Sequence, residues 1–385
     1  MTLVPHRSGA APIRVSAPGK LLLFGEHAVV YGCPTVAAAL SDLRVHVTIE
    51  RIPDTVGAAP VISLDCRDLG DGGGLNRVFA VSALRDVVVK LEDDRFFLPK
   101  PSNDLMERIE ALLHDEQPDD ARALRPAVFL CCSLLRRTAI LSGTEGSVRI
   151  SCARRNLPIG AGLGSSAAFC VAIAGALAQL GDRAMEVEAI NAHAFAAEVL
   201  LHGSPSGADN TVSAFGGALV FKKLPEPTFR SIRCDLNRFR FLLVNTRVPR
   251  STKALVGKVR EQFEADPPAV QTQFDAIEEI VQEFIALSDK DQLTESVLAR
   301  QIEANHRALD ALGVSHPQIE KVARICRAHG GTTKLTGAGG GGCTVSLLPG
   351  DMTEQAEARL VDELEAEGFE CFRSSIGGHG FTVDP

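Results

Sequence analysis

The 385-residue chain lacks tryptophan and has a single tyrosine, and aromatic residues make up only 5% of it. Proteins that bind single-stranded nucleic acids stack bases on aromatic side chains, so this scarcity argues against such a surface. Positive charge is also scarce, because the chain has 40 Lys and Arg residues and 48 Asp and Glu residues, which gives a formal net charge of −8. That balance does not neutralise a phosphate backbone or an anionic membrane. We therefore expect no nucleic-acid partner and no membrane partner.

Long apolar runs and cysteine clusters are missing as well. The longest apolar run, residues 167–178, is shorter than the roughly 18 residues that cross a bilayer. The ten cysteines are scattered without a C-x-x-C pair, and neither Cys nor His spacing forms a zinc motif. Several cysteines lie in apolar runs, where Cys behaves as a small hydrophobic residue. We expect reduced thiols in a soluble, cytoplasmic protein.

The length and the order of the elements predict two domains. Residues 1–12 are expected to form a disordered lead-in. A composition shift at residues 222–230 marks the predicted boundary between an N-terminal domain, 13–228, and a C-terminal domain, 229–385. The second part reads as strand, helices, strand, helix and strand, which predicts an α+β domain with helices on one face of a sheet.

Local patterns give expectations for individual segments. Residues 16–20, SAPGK, predict a turn, and the alternation of residues 43–49 predicts a half-buried strand. The acidic, proline-containing residues 115–125 predict a solvated loop. Apolar spacing predicts helices at 78–91, 184–201, 271–287, 293–312, 318–329 and 353–367.

The most informative stretch is residues 156–180, NLPIGAGLGSSAAFCVAIAGALAQL, in which three alternating glycines and two serines precede an apolar run. Glycine lets backbone N–H groups approach a ligand and permits positive φ. The first turn of a helix has unsatisfied N–H groups and partial positive charge, so this junction suits a phosphate. A glycine-rich turn before a core helix is the alternative. No Walker A spacing is present, and the glycine spacing is not a convincing dinucleotide fingerprint.

Charged or polar residues stand out at three other places. Lys20, Glu26 and His27 border or interrupt an apolar segment, where polar groups are costly unless they have partners; a surface turn between strands is the alternative. Asp209 lies in Gly- and Ser-rich surroundings near a predicted helix start, either as an N-cap or as a catalytic carboxylate. A second glycine-rich loop, within residues 334–348, is either a tight turn or a ligand-binding loop.

Three motifs in this order, SAPGKLLLFGEHAVVYG, LPIGAGLGSSAA and KLTGAGGGGCTVSLL, resemble the motifs of the GHMP small-molecule kinases. Within that superfamily, the first motif is similar to that of the mevalonate kinases, as are EVLLHGSPSGADN and NTRVPRST. The resemblance extends from residue 16 to about residue 378. It implies a two-domain α+β GHMP fold, with a ribosomal-protein-S5-like α/β N-terminal domain and a ferredoxin-like α+β C-terminal domain.

The same resemblance implies ATP-dependent phosphorylation of the 5-hydroxyl of mevalonate, with ATP and Mg²⁺ as cofactors. It gives Asp209 the role of catalytic carboxylate with Lys20 beside it, and makes Ser166 and Glu198 Mg²⁺ ligands. A homodimer and feedback inhibition by prenyl diphosphates are implied as well. The residues expected to hold the ATP phosphates are Gly160, Ala161, Gly162, Leu163, Gly164, Ser165 and Ser166.

These residue types suit the implied reaction. A primary alcohol has a pKa far above 7, and a positioned carboxylate can take its proton, which contributes roughly 10²- to 10⁴-fold to the rate. A nearby ammonium stabilises developing alkoxide charge, and Mg²⁺ prefers hydroxyl, carboxylate and phosphate oxygens. The candidates for holding substrate or supporting the catalytic pair are Glu26, His27, Ser206, Thr246, Gly339 and Gly340.

Two other functions stay open on the sequence. One is a kinase for a different alcohol, such as galactose, homoserine or phosphomevalonate, which the wording GEHAVVYG and PSGADN disfavours. The other is a catalytically inactive relative that senses a ligand, which the retained Lys20, Ser166, Glu198 and Asp209 disfavour. The sequence does not assign the group that binds the substrate carboxylate.

Overall fold

The structure is a computed structural model. It describes residues 11–53, 59–66, 75–88, 98, 100–136, 138–143, 146–155, 157–158, 160–180, 185–203, 205–224, 226–232 and 234–384. Apart from its last two residues, the predicted lead-in at 1–12 lies outside these ranges, as does the end of the helix predicted at 78–91.

The larger sheet has eight strands in the order β12-β1-β2-β5-β3-β4, with β6 paired to β2 and β7 paired to β6. Neighbouring strands are antiparallel except for β3 and β5, which are parallel. The half-buried alternation predicted at 43–49 is confirmed within β2. The strands are β1 (Ile13–Phe24), β2 (Thr35–Arg51), β3 (Val61–Cys66), β4 (Leu75–Ala80), β5 (Val148–Arg155), β6 (Ala218–Lys222), β7 (Thr228–Ile232) and β12 (Thr382–Asp384).

The smaller sheet has four antiparallel strands in the order β11-β8-β10-β9. Its strands are β8 (Arg240–Asn245), β9 (Thr332–Leu335), β10 (Cys343–Leu348) and β11 (Glu370–Arg373). Helices near the C-terminal end of the chain pack on it, and the predicted α+β class is confirmed.

Twelve α-helices are present among the described residues, and none of them is both long and apolar enough to cross a membrane. Each of the helices predicted from residue 184 onward is confirmed, with ends shifted by a few residues. They are α1 (Val81–Val88), α2 (Asn103–Leu112), α3 (Pro118–Leu135), α4 (Ala139–Ser142), α5 (Ser165–Ala178), α6 (Val187–His202), α7 (Ala208–Phe215), α8 (Thr252–Ala265), α9 (Pro267–Asp289), α10 (Glu295–Ala311), α11 (Pro317–Ala328) and α12 (Glu354–Ala366).

Helix α5 is the central helix of the larger sheet's half of the molecule. All its residues from Ala167 onward are buried, because it packs against β1, β2, α3, α6 and α7. A helix that is apolar on every side is typical of such a position. Its N-terminus is therefore held rigidly where the first glycine loop ends.

The turn predicted at residues 16–20 is wrong, because β1 runs through this segment without a break. The pairing of β1 with β2 shifts register between Pro18 and Lys20, so the proline and glycine are accommodated by an irregularity in a strand. Gly19 is packed tightly here, since a Cβ on it would lie 2.6 Å from the carbonyl oxygen of Leu163. Long-range strand pairing overrides the local turn preference.

The loop predicted at residues 115–125 is also wrong for most of its length. Helix α3 begins at Pro118, with Asp119 and Asp120 in its first turn. Proline at the first helical position and acidic residues beside it are helix-start signals, because they suit the free N–H groups and the helix dipole. Of the helix predicted at 78–91, the first residues belong to β4.

Helix α8 was not predicted. Only Val259 is buried along it, so the apolar periodicity that reveals most helices is weak there. The start signal is nevertheless in the sequence, because the Ser251 hydroxyl accepts a hydrogen bond from the Ala254 N–H at 3.2 Å.

The chain passes between the two sheets more than once. Strand β7 extends the larger sheet beyond residue 228, and β12 returns to pair with β1. Arg44 of β2 binds the segment before β12 by donating hydrogen bonds to the carbonyl oxygens of His379 (3.0 Å) and Gly380 (2.6 Å). The domain limits 13–228 and 229–385 stay a prediction.

Candidate active site

A cleft of about 720 Å³ opens at the N-terminal end of α5. It contains most of the residues that the sequence singled out. Its walls come from residues 20–30, 160–166, 198–210, 250–256 and 337–338, together with Arg122. Of the site residues expected from the resemblance, Lys20, His27, Gly160, Gly162, Gly164, Ser165, Ser166, Glu198, Ser206 and Asp209 line this cleft.

Lys20 and Asp209 form an ion pair on the cleft wall, with 3.1 Å between Nζ and Oδ1. The Lys20 side chain is 9% exposed and that of Asp209 is 40% exposed, so the carboxylate faces the cleft while the lysine supports it from within. The lysine backbone is fixed too, because its N–H donates to the carbonyl oxygen of Leu163 at 2.8 Å. Gly207 is the N-cap residue of α7, so Asp209 lies in the first turn of this helix, where its carboxylate pairs with Lys20.

A second polar group lies beside this pair and joins α5 to α6. The Ser166 hydroxyl donates to Oε2 of Glu198 at 3.5 Å and lies 3.2 Å from Nε2 of His202. Burial raises the pKa of Glu198 to about 7, and the negative charge of Asp209 adds to the rise. Sequence reasoning missed His202, although its position one helical turn after Glu198 places both side chains on one face of α6.

The first glycine loop needs glycine at several positions. Gly160, Gly162 and Gly164 have φ values of 71°, 86° and 70°. A Cβ on Gly162 would lie 1.7 Å from Nη2 of Arg250, and a Cβ on Gly164 would lie 2.7 Å from Cγ of Lys20. Gly164 is the N-cap of α5, and no side chain of the described residues caps that helix. The first-turn N–H groups of α5 are therefore available to an anion in the cleft.

Ala161 and Leu163 anchor the loop and do not line the cleft. Their side chains are buried in the core beneath it. This arrangement explains why glycines and apolar residues alternate in the loop. The glycines line the cleft, and the apolar residues between them pack into the core and anchor the backbone.

Arg250 is a further cleft residue that sequence reasoning missed, although the motif NTRVPRST contains it. Its guanidinium lies against Gly162 of the first glycine loop and against Gly337 and Gly342 of the second. Its Nε and Nη1 atoms are buried without a hydrogen-bond partner in the described part of the chain. Burial lowers the pKa of Arg250 from its usual value, but an arginine stays charged at neutral pH. Among the residues that the structure describes, no carboxylate pairs with this cation in the cleft.

The second glycine loop contributes Gly337 and Ala338 to the cleft wall. Gly339 and Gly340 instead face the body of the smaller sheet's half of the molecule. A Cβ on Gly339 would lie 2.1 Å from the carbonyl oxygen of Val314, and the Gly340 N–H donates to that same oxygen at 2.8 Å. The structure therefore brings these two glycines to the base of the loop and away from the cleft.

The remaining candidate residues have supporting positions. Thr246 is buried and its hydroxyl donates to the carbonyl oxygen of Gly342 at 2.8 Å, which holds the second glycine loop. Ser206 accepts a hydrogen bond from the Ala208 N–H at 3.2 Å, where α7 begins. Glu26 does not line the cleft but lies fully buried behind it. Neither Thr246 nor Glu26 is within the cleft wall.

Comparison with known proteins was made on both sequence and structure. The family model described as GHMP kinases N terminal domain matches residues 128–217, and GHMP kinases C terminal matches residues 293–370. The mevalonate kinase of Candida albicans is 35% identical, over 97% of this chain and 90% of its own length. The mevalonate kinase of Arabidopsis thaliana is 34% identical, over 96% of this chain and 99% of its own length.

A solved structure has the same fold. The crystal structure of L. major mevalonate kinase in complex with R-mevalonate superimposes with a TM-score of 0.71 at 24% identity, covering 98% of this chain and 99% of that one. The matches to these two curated relatives cover 96–97% of this chain. The chain belongs to the mevalonate kinase family of the GHMP kinases.

Proposed function

We propose that this chain transfers the γ-phosphoryl group of ATP to the 5-hydroxyl of mevalonate. The observation that carries the proposal is the Lys20–Asp209 ion pair on the wall of a cleft that also contains an uncapped helix N-terminus. That arrangement offers a base for an alcohol and a site for a phosphate within one space. The curated relatives at 34–35% identity are named mevalonate kinases, which points to the alcohol.

Asp209 is the group that would take the hydroxyl proton. One of its oxygens is held by Lys20, and its 40% exposure leaves the carboxylate accessible from the cleft. As the bond to phosphorus forms, the hydroxyl loses its proton to this carboxylate. Lys20 fixes the carboxylate and stabilises the negative charge that develops on the alcohol oxygen.

The residues at the N-terminus of α5 fit the phosphates of ATP. Within the described part of the chain, no side chain caps the N–H groups of its first turn, and the three glycines at positive φ before it line the cleft. Arg250 adds a full positive charge, and its Nε and Nη1 atoms have no hydrogen-bond partner in the described residues. Backbone N–H groups and one guanidinium would hold and orient the transferable phosphate, which is the main task in phosphoryl transfer.

Ser166 and Glu198 fit a Mg²⁺ ion bound together with the nucleotide. A hydroxyl and a carboxylate are oxygen ligands that Mg²⁺ prefers, and Mg²⁺ completes its coordination with phosphates and water. In the part of the chain that the structure describes, no cluster of three or more His, Cys, Asp or Glu could hold a metal by itself. This agrees with an ion that depends on ATP for its remaining ligands. When bound, the ion neutralises phosphate charge.

Product identification tests the proposal. Purified protein with ATP and mevalonate should release ADP and form 5-phosphomevalonate, identified by mass spectrometry and ³¹P NMR. Galactose, homoserine and phosphomevalonate are the matched alternative alcohols. Absence of a preference for mevalonate would overturn the substrate assignment, and binding of ligand without ADP release would favour an inactive sensor.

Dimerisation, cytoplasmic location and feedback inhibition are further parts of the proposal that follow from the family resemblance. All ten cysteines are free and eight are buried, which suits a reducing compartment. A prenyl diphosphate carries the anionic group that the N-terminus of α5 can bind, so we expect inhibition competitive with ATP. Sedimentation at several protein concentrations tests the dimer, and inhibition kinetics with farnesyl diphosphate test the regulation.

A further inference from the structure

A short stretch of the larger sheet is fastened directly to the second glycine loop. Leu22 exchanges two hydrogen bonds with the Thr336 hydroxyl, which donates to the Leu22 carbonyl at 2.9 Å and accepts from its N–H at 3.1 Å. Five residues later, Nε2 of His27 lies 2.9 Å from the carbonyl oxygen of Ala338. Leu22, His27 and Ala338 all line the cleft. The two halves of the cleft wall are therefore joined along residues 22–27 and 334–338.

Between these contacts lies a buried ion pair. Glu26 and Lys334 are both fully buried, and Nζ of Lys334 donates to Oε1 of Glu26. Asn305 donates to the other carboxylate oxygen at 3.1 Å, and the lysine also donates to the carbonyl oxygen of Leu335 at 2.6 Å. Neither charged side chain reaches the cleft. Removing one partner would leave a buried charge uncompensated, so the pair strongly constrains the backbone on both sides.

The backbone beside Glu26 needs such a constraint. His27 has φ of 58°, which is unfavourable for a residue other than glycine. Gly25 has φ of 97°, and a Cβ on it would lie 2.5 Å from Cα of Thr35. Strained conformations of this kind persist only where surrounding contacts hold them.

The histidine ring is held in one chemical form. A carbonyl oxygen can only accept a hydrogen bond, so the contact with Ala338 places the proton of His27 on Nε2 and leaves Nδ1 as an acceptor. Burial lowers the pKa of His27, which keeps the ring neutral near pH 7. The position of the ring depends on residues that do not themselves reach the cleft.

We propose that Glu26 and Lys334 are positioning residues whose buried ion pair fixes the His27 ring on the cleft wall. Glu26 then affects substrate binding through His27 and does not contact the substrate. The substrate in this statement is mevalonate, so this part rests on the proposed function. The claim that the ion pair positions the His27 ring does not rest on the proposed function.

The test combines single and double substitutions. Glu26→Gln and Lys334→Met each remove one charge, and the double variant removes both with little change in volume. Each single variant should change the ¹⁵N signal of His27 and raise the Kd for mevalonate about tenfold, and the double variant should recover most of that loss. The Kd for ATP should stay within about twofold of wild type, because the proposed phosphate site at the N-terminus of α5 lies outside residues 22–27 and 334–338.

A surface pair provides the matched control. Lys321 and Glu367 also form a Lys–Glu ion pair, but their side chains are 30% and 44% exposed. Lys321→Met, Glu367→Gln and their double variant should leave the His27 signal and both Kd values unchanged. Lys334→Arg keeps the charge and serves as a second variant if Lys334→Met does not fold.

Two results would overturn the proposal. A double variant that binds mevalonate as poorly as Glu26→Gln would mean that Glu26 contacts the substrate directly. Single variants that lower the thermal midpoint without changing the His27 signal would mean that the pair has only a general structural role. The histidine spectrum needs no substrate, so it tests the positioning even if the wild-type protein does not phosphorylate mevalonate.

Discussion

Replacing Asp209 by asparagine tests the proton-accepting role that we propose for this residue. Asparagine has almost the same shape, and its amide oxygen can still accept a hydrogen bond from Lys20 across the present 3.1 Å. It cannot take a proton from an alcohol. The substitution should therefore remove the proposed base and leave the cleft intact.

The expected magnitude follows from this geometry. General-base catalysis contributes roughly 10²- to 10⁴-fold, so kcat should fall by that factor, which corresponds to about 3–5 kcal/mol of transition-state stabilisation. Because the Asp209 side chain is 40% exposed, the lost ion pair should change the free energy of unfolding by no more than about 1 kcal/mol. The Kd for ATP should stay within a few-fold, since the carboxylate repels the triphosphate and its loss does not weaken phosphate binding.

A coupled ADP-release assay at saturating ATP and mevalonate measures kcat, and equilibrium binding of a fluorescent nucleotide measures the Kd. Asp289→Asn is the matched control, because Asp289 is 41% exposed and pairs with Arg230 at 3.0 Å on the surface. It should leave kcat within about twofold of wild type. Turnover of Asp209→Asn within tenfold of wild type would show that Asp209 is not the base.

Three further predictions concern the cleft and the core. Ser166→Ala and Glu198→Gln should each raise the Mg²⁺ concentration needed for half-maximal rate, and the double variant should do little more; additive effects in a Mg²⁺ titration would contradict a shared ion. Gly164→Ala places a Cβ against the side chain of Lys20 at a φ of 70°, so it should reduce kcat and lower the free energy of unfolding by about 1–3 kcal/mol. Gly368→Ala, at a φ of 86° in open space, should reduce stability alone. Burial lowers the pKa of His193 to about 4 in the folded protein, whereas the pKa of this histidine in the unfolded chain is near 6.5. Between pH 6.5 and pH 4 the unfolded state therefore binds one proton more than the folded state. Stability should therefore fall by about 3 kcal/mol as pH drops through that window, and urea unfolding should show a flatter pH dependence in His193→Gln.

Sequence reasoning succeeded where the signal is local. The first glycine loop could be predicted because alternating glycines, two serines and an apolar run occupy adjacent positions, and the structure places them at the uncapped start of α5. The long helices from α6 onward follow from apolar periodicity within one segment. The resemblance of separate motifs then indicated that Lys20 and Asp209 come together, which neither spacing nor composition could show.

Sequence reasoning failed where contacts with distant parts of the chain determine the structure and role of a residue. Residues 16–20 carry turn residues, yet pairing with β2 keeps them extended. The importance of Glu26 could be suspected from a charge in an apolar segment, but its partner Lys334 is more than 300 positions away. Arg250 looked like any surface arginine, because only the fold brings two glycine loops around its guanidinium.

The return of β12 to the outer edge of β1 has a consequence for synthesis on the ribosome. Residues 14–16 of β1 are made early, but the strand that pairs with their outer edge is β12, residues 382–384. At about 5–20 residues per second, this edge stays open for roughly 18–72 seconds. Open strand edges pair readily with other chains, so nascent copies are exposed to aggregation throughout that interval. A chaperone that shields β1 should raise the yield of folded protein more than one that acts after release, and a stalled ribosome should hold an unfinished larger sheet.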